Sequence, residues 1–186
     1  MTPAPMKITP LSIPDVVLIE PQVHGDARGY FFESYNAARF AAALGREPAF
    51  VQDNQSRSSR HVVRGLHYQI RQPQAKLVRA ISGEIFDVAV DLRRSSPTFG
   101  RWAGALLSAE NKRQLWIPAG FAHGFMVLSD TAETLYKTTD YYAPEHERCV
   151  RWDDPRIGID WPHAADVIVS QKDARGLTLA AADTYP

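Results

Sequence analysis

The sequence predicts an all-β fold in a single domain, residues 1–186. Short apolar runs alternate with polar residues at the period of two that is typical of β-strands. Turn-forming sequences such as Ser82-Gly83 and Pro118-Ala119-Gly120 separate these runs. Many short strands between turns favour a sandwich or barrel over βαβ units, and 186 residues would be cramped as two domains.

The clearest predicted strand runs from Ile85 to Leu92. One face of it carries Phe86, Val88, Val90 and Leu92, and the other carries Ile85, Asp87, Ala89 and Asp91. Further strands are expected at Lys76 to Ile81, Gly104 to Leu107, Gln114 to Ile117, Gly124 to Leu128 and Thr134 to Tyr141.

Helices are expected to be few. One is predicted from Ala37 to Leu44, where good helix formers place Phe40 and Leu44 on one face. Asn36 can cap its first turn and Gly45 can end it. A second helix is expected around Leu177 to Ala182.

The charge balance narrows the classes of partner. Lys plus Arg and Asp plus Glu both number 21, so no global field attracts nucleic acid or an anionic membrane. The one cysteine, Cys149, excludes an intramolecular disulfide framework and a zinc site built on several cysteines. Because residues 1–10 hold no sustained apolar run, we expect neither a secretory signal nor a membrane span, and therefore a cytoplasmic protein.

The segment Arg64-Gly65-Leu66-His67-Tyr68 concentrates chemistry in one short stretch of expected β-structure, with Lys76 nine residues after the histidine. Histidine is the side chain best suited to take a proton near neutral pH. A nearby fixed cation can stabilise the negative charge that appears when a carbon acid loses its proton. His67 is therefore a candidate base or a candidate metal ligand.

A second histidine motif, Pro118-x-Gly120-x-x-His123, resembles the second motif of the cupins, which are small jelly-roll β-barrels. In metal-binding cupins that histidine joins two histidines and a glutamate of the first motif. Here Gln69 replaces the second of those histidines, and no glutamate follows at the usual distance. Two histidines without a carboxylate make a poor site for a catalytic divalent metal, so the resemblance implies a cupin without a metal or other cofactor. A metal-dependent cupin built on His67 and His123 remains the alternative.

Six segments taken in order resemble the dTDP-4-dehydrorhamnose 3,5-epimerase family, which consists of metal-free cupins. The resemblance extends from about Ile8 to Asp173. Its segments are Asp26 to Glu33, Gln52 to Ser56, Arg64 to Gln69 with Lys76 to Val78, Gly120 to Phe125, Leu135 to Thr139 and Ser170 to Asp173. The implied fold is a cupin-type jelly roll with a few short peripheral helices.

The resemblance implies an isomerase that acts on a dTDP-4-keto-6-deoxyhexose. It assigns His67 as the base, Tyr136 as the acid on the opposite face of the sugar, and Lys76 as the cation near the developing oxyanion. Asp173 would hold the His67 imidazole in the required tautomer. Inversion at only C3 or only C5 is an open alternative, as is a jelly-roll module that binds a nucleotide sugar without catalysis.

The resemblance also implies the remaining substrate contacts and a partner. Tyr142 matches the aromatic residue that stacks on the thymine ring. The family forms homodimers in which strands pair across the interface, so a homodimer is expected. The other implied contacts are Arg28, Glu33, Gln52, Asp53, Asn54, Arg64, His123, Glu147 and Lys172.

Overall fold

Two antiparallel sheets dominate the computed structural model, which describes residues 6–45 and 47–186. They pack together as a jelly roll, in agreement with the predicted fold class. The predicted domain also includes residues 1–5 and 46, which lie outside the described residues. No helix in the described ranges is long and apolar enough to cross a membrane.

Thirteen strands are present in the described part of the chain. They are β1 Lys7–Pro10, β2 Val17–Glu20, β3 Val23–Asp26, β4 Gly29–Phe32, β5 Gln52–Ser59, β6 Val63–Gln69, β7 Lys76–Ser82, β8 Glu84–Asp91, β9 Trp102–Ser108, β10 Gln114–Ile117, β11 Phe121–Val127, β12 Thr131–Thr138 and β13 Glu147–Cys149. The larger sheet has the order β1-β2-β10-β7-β12-β5 and the smaller sheet β13-β6-β11-β8-β9, while β3 and β4 form a separate hairpin.

Helices are short: α1 Ala37–Leu44, α2 Gln171–Ala174, and single 3-10 turns at Pro144–His146 and Ala164–Asp166. The prediction for α1 is confirmed at both ends. The Asn36 side chain accepts a hydrogen bond from the Arg39 N–H, and Gly45 ends the helix in the left-handed conformation.

Three apolar layers hold the sheets in place. The first lies between the sheets and includes Val78 and Ile85. The second lies between the smaller sheet and the C-terminal segment, where Val88 meets Trp161. In the third, α1 covers the larger sheet through Phe40. Both faces of β8 are therefore buried, including the face on which Asp87 and Asp91 alternate with apolar residues.

The predicted helix around Leu177 to Ala182 is wrong. Tertiary hydrogen bonds take the backbone groups that a helix would need. The Leu177 N–H donates to the carbonyl of Cys149 at 2.9 Å, and the Arg151 N–H donates to the carbonyl of Leu177 at 2.9 Å. The Leu179 N–H donates to the Asp154 carboxylate at 2.8 Å.

The predicted strands are confirmed in position; β7, β8 and β9 differ from their predicted ends by one or two residues, and the larger differences are in β11 and β12. β11 begins at Phe121 rather than Gly124, directly after the predicted turn at Gly120. β12 covers Thr131–Thr138 and so lies three residues earlier than predicted at both ends. Tyr142 therefore lies in a connection beyond the strand, where its ring can project without the constraint of strand alternation.

Candidate active site

A cavity of about 310 Å³ opens between the two sheets. Strands β5, β7 and β12 of the larger sheet and β6, β11 and β13 of the smaller sheet line it. Its lining residues are Gln52, Asn54, Ser56, Arg64, His67, Tyr68, Gln69, Gln74, Lys76, His123, Phe125, Tyr136, Tyr142 and Glu147. The cavity thus collects most of the residues proposed from the sequence.

Gly65 shapes the strand that carries His67. Its φ of +123° is one that residues with a side chain rarely adopt, and a Cβ there would lie 2.6 Å from Cα of Gly124. The absence of both side chains lets β6 and β11 approach closely, and their register shifts between His123 and Phe125. The Gly65 N–H donates to Asp173 Oδ2 at 3.2 Å.

His67 and Asp173, 106 positions apart in sequence, form a hydrogen-bonded pair. His67 Nε2 lies 2.8 Å from Asp173 Oδ1. Asp173 lies in α2, where the Ser170 hydroxyl accepts a hydrogen bond from its N–H. Burial is the largest single effect on the pKa of the Asp173 carboxyl and raises it, but the hydrogen bonds and electrostatic attraction of its surroundings, led by the hydrogen bond with His67, together outweigh burial and lower the pKa. An ionised Asp173 fixes the proton on Nε2 and leaves Nδ1 as the basic nitrogen.

Lys76 is a buried cation in the cavity wall. Its residue is only 8% exposed, and Nζ makes no hydrogen bond or ion pair within the described residues. Burial lowers the pKa of Lys76 to about 8, while Asp87 and Glu147 oppose that shift. Nζ lies 6.0 Å from the centre of the Tyr136 ring. Because no anionic side chain among the described residues is in direct contact with Nζ, the ammonium can pair with an anion of a bound molecule.

Tyr136 enters the cavity from β12 of the larger sheet, whereas His67 enters from β6 of the smaller sheet. Its ring centre lies 6.3 Å from that of His123. Burial raises the pKa of the Tyr136 phenol, against the opposing effect of Arg64, so the hydroxyl is protonated at neutral pH. The His67 imidazole and the protonated Tyr136 phenol therefore face one cavity from opposite walls.

His123 forms a second His–Asp pair, deeper than the first. Its Nε2 lies 2.7 Å from Asp87 Oδ1, and the residues are 6% and 0% exposed. Burial lowers the pKa of His123, although Asp87 opposes that shift. His123 is therefore neutral at neutral pH. Asp87 Oδ2 has no hydrogen-bond partner among the described residues.

The cavity mouth carries a linked set of polar residues. The Tyr142 hydroxyl donates to Glu147 Oε2 at 2.9 Å, and Lys172 Nζ donates to the same oxygen at 2.5 Å. Burial alone would raise the pKa of Glu147, but these two hydrogen bonds keep it below its ordinary value. The Tyr142 N–H donates to Gln52 Oε1 at 3.0 Å, and the Gln52 amide donates to Asn54 Oδ1 at 2.9 Å.

Gln69 anchors the connection that bears Tyr142. Its amide nitrogen donates to the carbonyls of Gln72 and Tyr141 at 2.8 and 3.2 Å, and its Oε1 accepts from the Ala143 N–H at 2.9 Å. Gln69 is only 3% exposed, so its side chain, rather than water, forms the hydrogen bonds that the backbone groups on both sides of Tyr142 need.

Three proposed contacts lie away from this cavity. Arg28 is in the turn of the β3–β4 hairpin, with a 90% exposed side chain paired to Asp26 at 2.6 Å. Glu33 follows that hairpin, and its Oε2 accepts a hydrogen bond from the side-chain amide of Asn36, the residue that caps α1, at 3.1 Å. Asp53 points to the opposite face of β5 from Gln52 and Asn54, and lies 3.0 Å from Lys137 Nζ.

Sequence reasoning missed several lining residues: Ser56, Tyr68, Gln74 and Phe125, together with the anchoring of Gln69. Ser56 could have been found, because strand alternation places it on the same face as Gln52 and Asn54. The same rule would have separated Asp53 from them. Gln74 lies in the connection between β6 and β7 and gave no local signal.

Potential metal ligands also converge in a different place from the one expected for a metal cupin. Within the described residues, one group of three has ligand atoms within 4.8 Å of one another: His67, Cys149 and Asp173. His123 is not a member of this group, and its Nε2 is bonded to Asp87. Among the described residues, no group of three potential ligands therefore contains both His67 and His123.

Comparison with known proteins gives consistent results. A sequence model of the dTDP-4-dehydrorhamnose 3,5-epimerase family matches residues 10–181. The dTDP-4-dehydrorhamnose 3,5-epimerase of Pseudomonas aeruginosa is 66% identical over 97% of this chain and 100% of its own length.

Solved structures show the same similarity. The Legionella pneumophila dTDP-6-deoxy-D-glucose-3,5-epimerase in complex with dTDP-4-keto-L-rhamnose superposes with a TM-score of 0.93 at 53% identity, covering 96% of this chain and 95% of that one. A 3'-monoepimerase from Streptomyces bikiniensis in complex with dTDP-quinovose superposes with a TM-score of 0.86 at 37% identity, covering 92% and 87%. Enzymes that invert two carbons and enzymes that invert one therefore share this fold.

Proposed function

Because the chain belongs to the dTDP-4-dehydrorhamnose 3,5-epimerase family, we propose that His67 and Tyr136 invert C3 and C5 of a dTDP-4-keto-6-deoxyhexose in the cavity between the sheets. The protein is an isomerase that acts on a nucleotide sugar. The observation that supports these two roles is the entry of the His67–Asp173 pair and of Tyr136 from opposite sheets. A nucleotide diphosphate carries charges that an apolar bilayer excludes, so the substrate stays in the compartment in which it is made. We propose that this compartment, and therefore the location of the enzyme, is the cytoplasm.

Inversion at C3 and inversion at C5, the two carbons next to the C4 ketone, each begin when a base removes the hydrogen of that carbon. Removing the hydrogen from C3 or C5 gives an enolate, whose charge is shared with the C4 oxygen. His67 takes this proton at Nδ1, because Nε2 is engaged by Asp173 at 2.8 Å. Asp173 stabilises the imidazolium that forms, as a buried carboxylate does in other His–Asp pairs.

Two further groups complete the inversion. The Lys76 ammonium stabilises the charge on the C4 oxygen, a role supported by its burial and its lack of a protein counterion in direct contact. Tyr136 returns a proton to the opposite face of the enolate. Its raised pKa keeps the hydroxyl protonated until the carbanion takes the proton.

The nucleotide end of the substrate suits the mouth of the cavity. Arg64, held by a 2.8 Å bond from Nε to the Ser58 hydroxyl, offers a planar fork for phosphate oxygens. Lys172 supplies a second cation. Tyr142, 53% exposed and fixed through its backbone, offers a ring on which the thymine can stack.

Deuterium exchange separates the steps. With dTDP-4-keto-6-deoxyglucose in D2O, wild-type protein should load deuterium at both C3 and C5, whereas exchange at C3 alone would identify a mono-epimerase. Tyr136→Phe should lose inversion more completely than exchange, because the base remains, and His67→Ala should lose both. Tyr141→Phe, which changes an exposed neighbour of the mouth, is the matched control. Equal residual exchange in the His67 and Tyr136 variants would contradict the assigned roles.

We further propose a homodimer in which Arg28 and Glu33 act in the partner's cavity. The β3–β4 hairpin extends two exposed aromatic side chains, Tyr30 and Phe31, which are 63% and 71% exposed. An exposed hairpin of this kind has unpaired edges and apolar surface that a second copy can cover.

Mixed dimers test this arrangement. Arg28→Ala and His67→Ala are each expected to be nearly inactive alone. If Arg28 acts across the interface, one site of a mixed dimer carries both substitutions and the other carries neither. Refolding the two variants together at equal amounts should then restore about a quarter of wild-type activity, since half the dimers are mixed. No recovery in mixtures shown to exchange subunits would place Arg28 outside the partner's site.

A further inference from the structure

We propose that His67, Cys149 and Asp173 form an inhibitory site for a thiophilic divalent cation such as Zn²⁺ or Cd²⁺. Cys149 in β13 lies directly opposite His67 in β6, so the thiol and the imidazole are cross-strand neighbours. Asp173 reaches the same point from α2. Thiol, imidazole and carboxylate are the three ligand types that zinc takes in proteins.

The distances suit coordination after small movements. The ligand atoms all lie within 4.8 Å of one another, and His67 Nε2 and Asp173 Oδ1 are 2.8 Å apart. With Zn–S near 2.3 Å and Zn–N and Zn–O near 2.0–2.2 Å, a tetrahedral ion holds its ligand atoms about 3.3–3.6 Å apart. The histidine and the carboxylate must therefore separate slightly, and the thiol must approach by at most roughly one ångström.

An ion has a route to the site and a reason to remain there. The His67 side chain is 29% exposed towards the cavity, so an ion can enter beside it, whereas Asp173 is only 5% exposed. Water can fill the fourth coordination position from the cavity side. On binding, the thiol proton passes to the solvent and the His67 imidazole changes tautomer, its proton moving from Nε2 to Nδ1 by exchange with solvent, so the ion replaces one proton.

Binding would stop the reaction without displacing the substrate. The ion replaces the hydrogen bond between His67 Nε2 and the Asp173 carboxylate. That hydrogen bond keeps the proton on Nε2 and leaves Nδ1 as the basic nitrogen. Neither Cys149 nor Asp173 lines the cavity, so the ion does not occupy the substrate's space. Inhibition should therefore lower kcat and leave KM nearly unchanged.

The test uses the full-length protein with ZnCl2 or CdCl2 in a buffer that does not bind metal. Wild-type protein should bind one Cd²⁺ per chain with the ultraviolet absorption of a cadmium–thiolate bond, lose kcat in proportion, and recover when a chelator is added. Cys149→Ser should need at least roughly tenfold more metal for the same inhibition and should lack the absorption band. Cys149→Ala provides a second variant, and the metal-free activity of each variant is its own reference.

Surface histidines are the alternative source of metal sensitivity. His61 and His163 stack with ring centres 5.3 Å apart, so His61→Gln is the control. Equal metal sensitivity in wild-type protein and Cys149→Ser would overturn the proposal, as would cadmium binding to Cys149 without loss of kcat. If His67→Ala loses epimerisation but wild-type protein is insensitive to metal, the metal site fails while the proposed function stands.

Discussion

Replacing Lys76 by methionine should make the protein more stable and nearly inactive. Methionine keeps the length and apolar stem of the side chain but removes the buried charge. Because the ammonium is 8% exposed and its pKa is lowered from 10.5 to about 8, the folded protein disfavours the charged form. The residue is retained in spite of this cost, which we attribute to its stabilisation of the C4 oxyanion.

The size of the effect follows from linkage. At about 1.4 kcal/mol per pH unit, a lowering from 10.5 to about 8 corresponds to roughly 3 kcal/mol against the folded state at pH 7. The unfolded chain holds this proton up to about pH 10.5, so the cost is fully present below pH 8 and disappears as the pH rises to 10.5. Lys76→Met should raise the free energy of unfolding by up to about 3 kcal/mol at pH 7, with a smaller gain at pH 10.

Urea unfolding at both pH values, together with steady-state kinetics at pH 7, measures the two effects. We expect kcat to fall about 10²–10³-fold, the usual loss when one stabiliser of an oxyanion is removed. Lys7→Met, which removes an exposed lysine paired to Glu20, is the matched control and should change neither quantity appreciably. A destabilised Lys76→Met, or one that keeps its activity, would refute this account of the lysine.

Three other substitutions have distinct expected outcomes. His123→Asn should lower kcat yet retain deuterium exchange into substrate, because His67 remains the base; complete loss of exchange would contradict this. Gln69→Leu leaves the Ala143 N–H unpaired beside Tyr142 and should raise KM about tenfold more than it lowers kcat; the reverse split, measured by steady-state kinetics, would count against an anchoring role. Asp91→Asn should cost on the order of 2 kcal/mol at pH 7, because hydrogen bonds hold the pKa of this fully buried carboxyl at about 2 against the effect of burial. That stabilisation is lost as the pH falls from 3.8 to about 2, so the deficit should shrink at pH 3 in urea unfolding; a constant deficit would show that charge is not the cause.

Local signals predicted the strands and α1 well because each has a period or a cap in its own sequence. β10 Gln114–Ile117 and α1 Ala37–Leu44 match their predictions at both ends. The C-terminal helix was wrong for the opposite reason. Nothing within Leu177 to Ala182 reveals that Cys149, Arg151 and Asp154 will hydrogen-bond to its backbone. Such partners are set by tertiary structure, which a local pattern does not contain.

The site residues also divide into those that the sequence predicts and those whose positions depend on tertiary structure. The resemblance supplied His67, Lys76, Tyr136 and Asp173 together, and the structure places the three from the sheets in one cavity with Asp173 behind the histidine. Elementary strand alternation would have refined the set by adding Ser56. The positions of Arg28 and Glu33 depend on where a hairpin extends, and this is a property of the assembled fold.

Two His–Asp pairs lie side by side in adjacent strands, and their difference in burial supports the proposal that His67, and not His123, acts as the base. His123 and His67 are register partners across β11 and β6, and each bonds a carboxylate through Nε2 at 2.7 or 2.8 Å. His123 is 6% exposed, so protonating it would bury a second cation near Lys76, and its pKa is lowered accordingly. The His67 side chain is 29% exposed and lies beside Asp173, whose carboxyl has a lowered pKa. We therefore propose that the same pairing provides a base at the partly exposed position and a neutral wall of the cavity at the buried one.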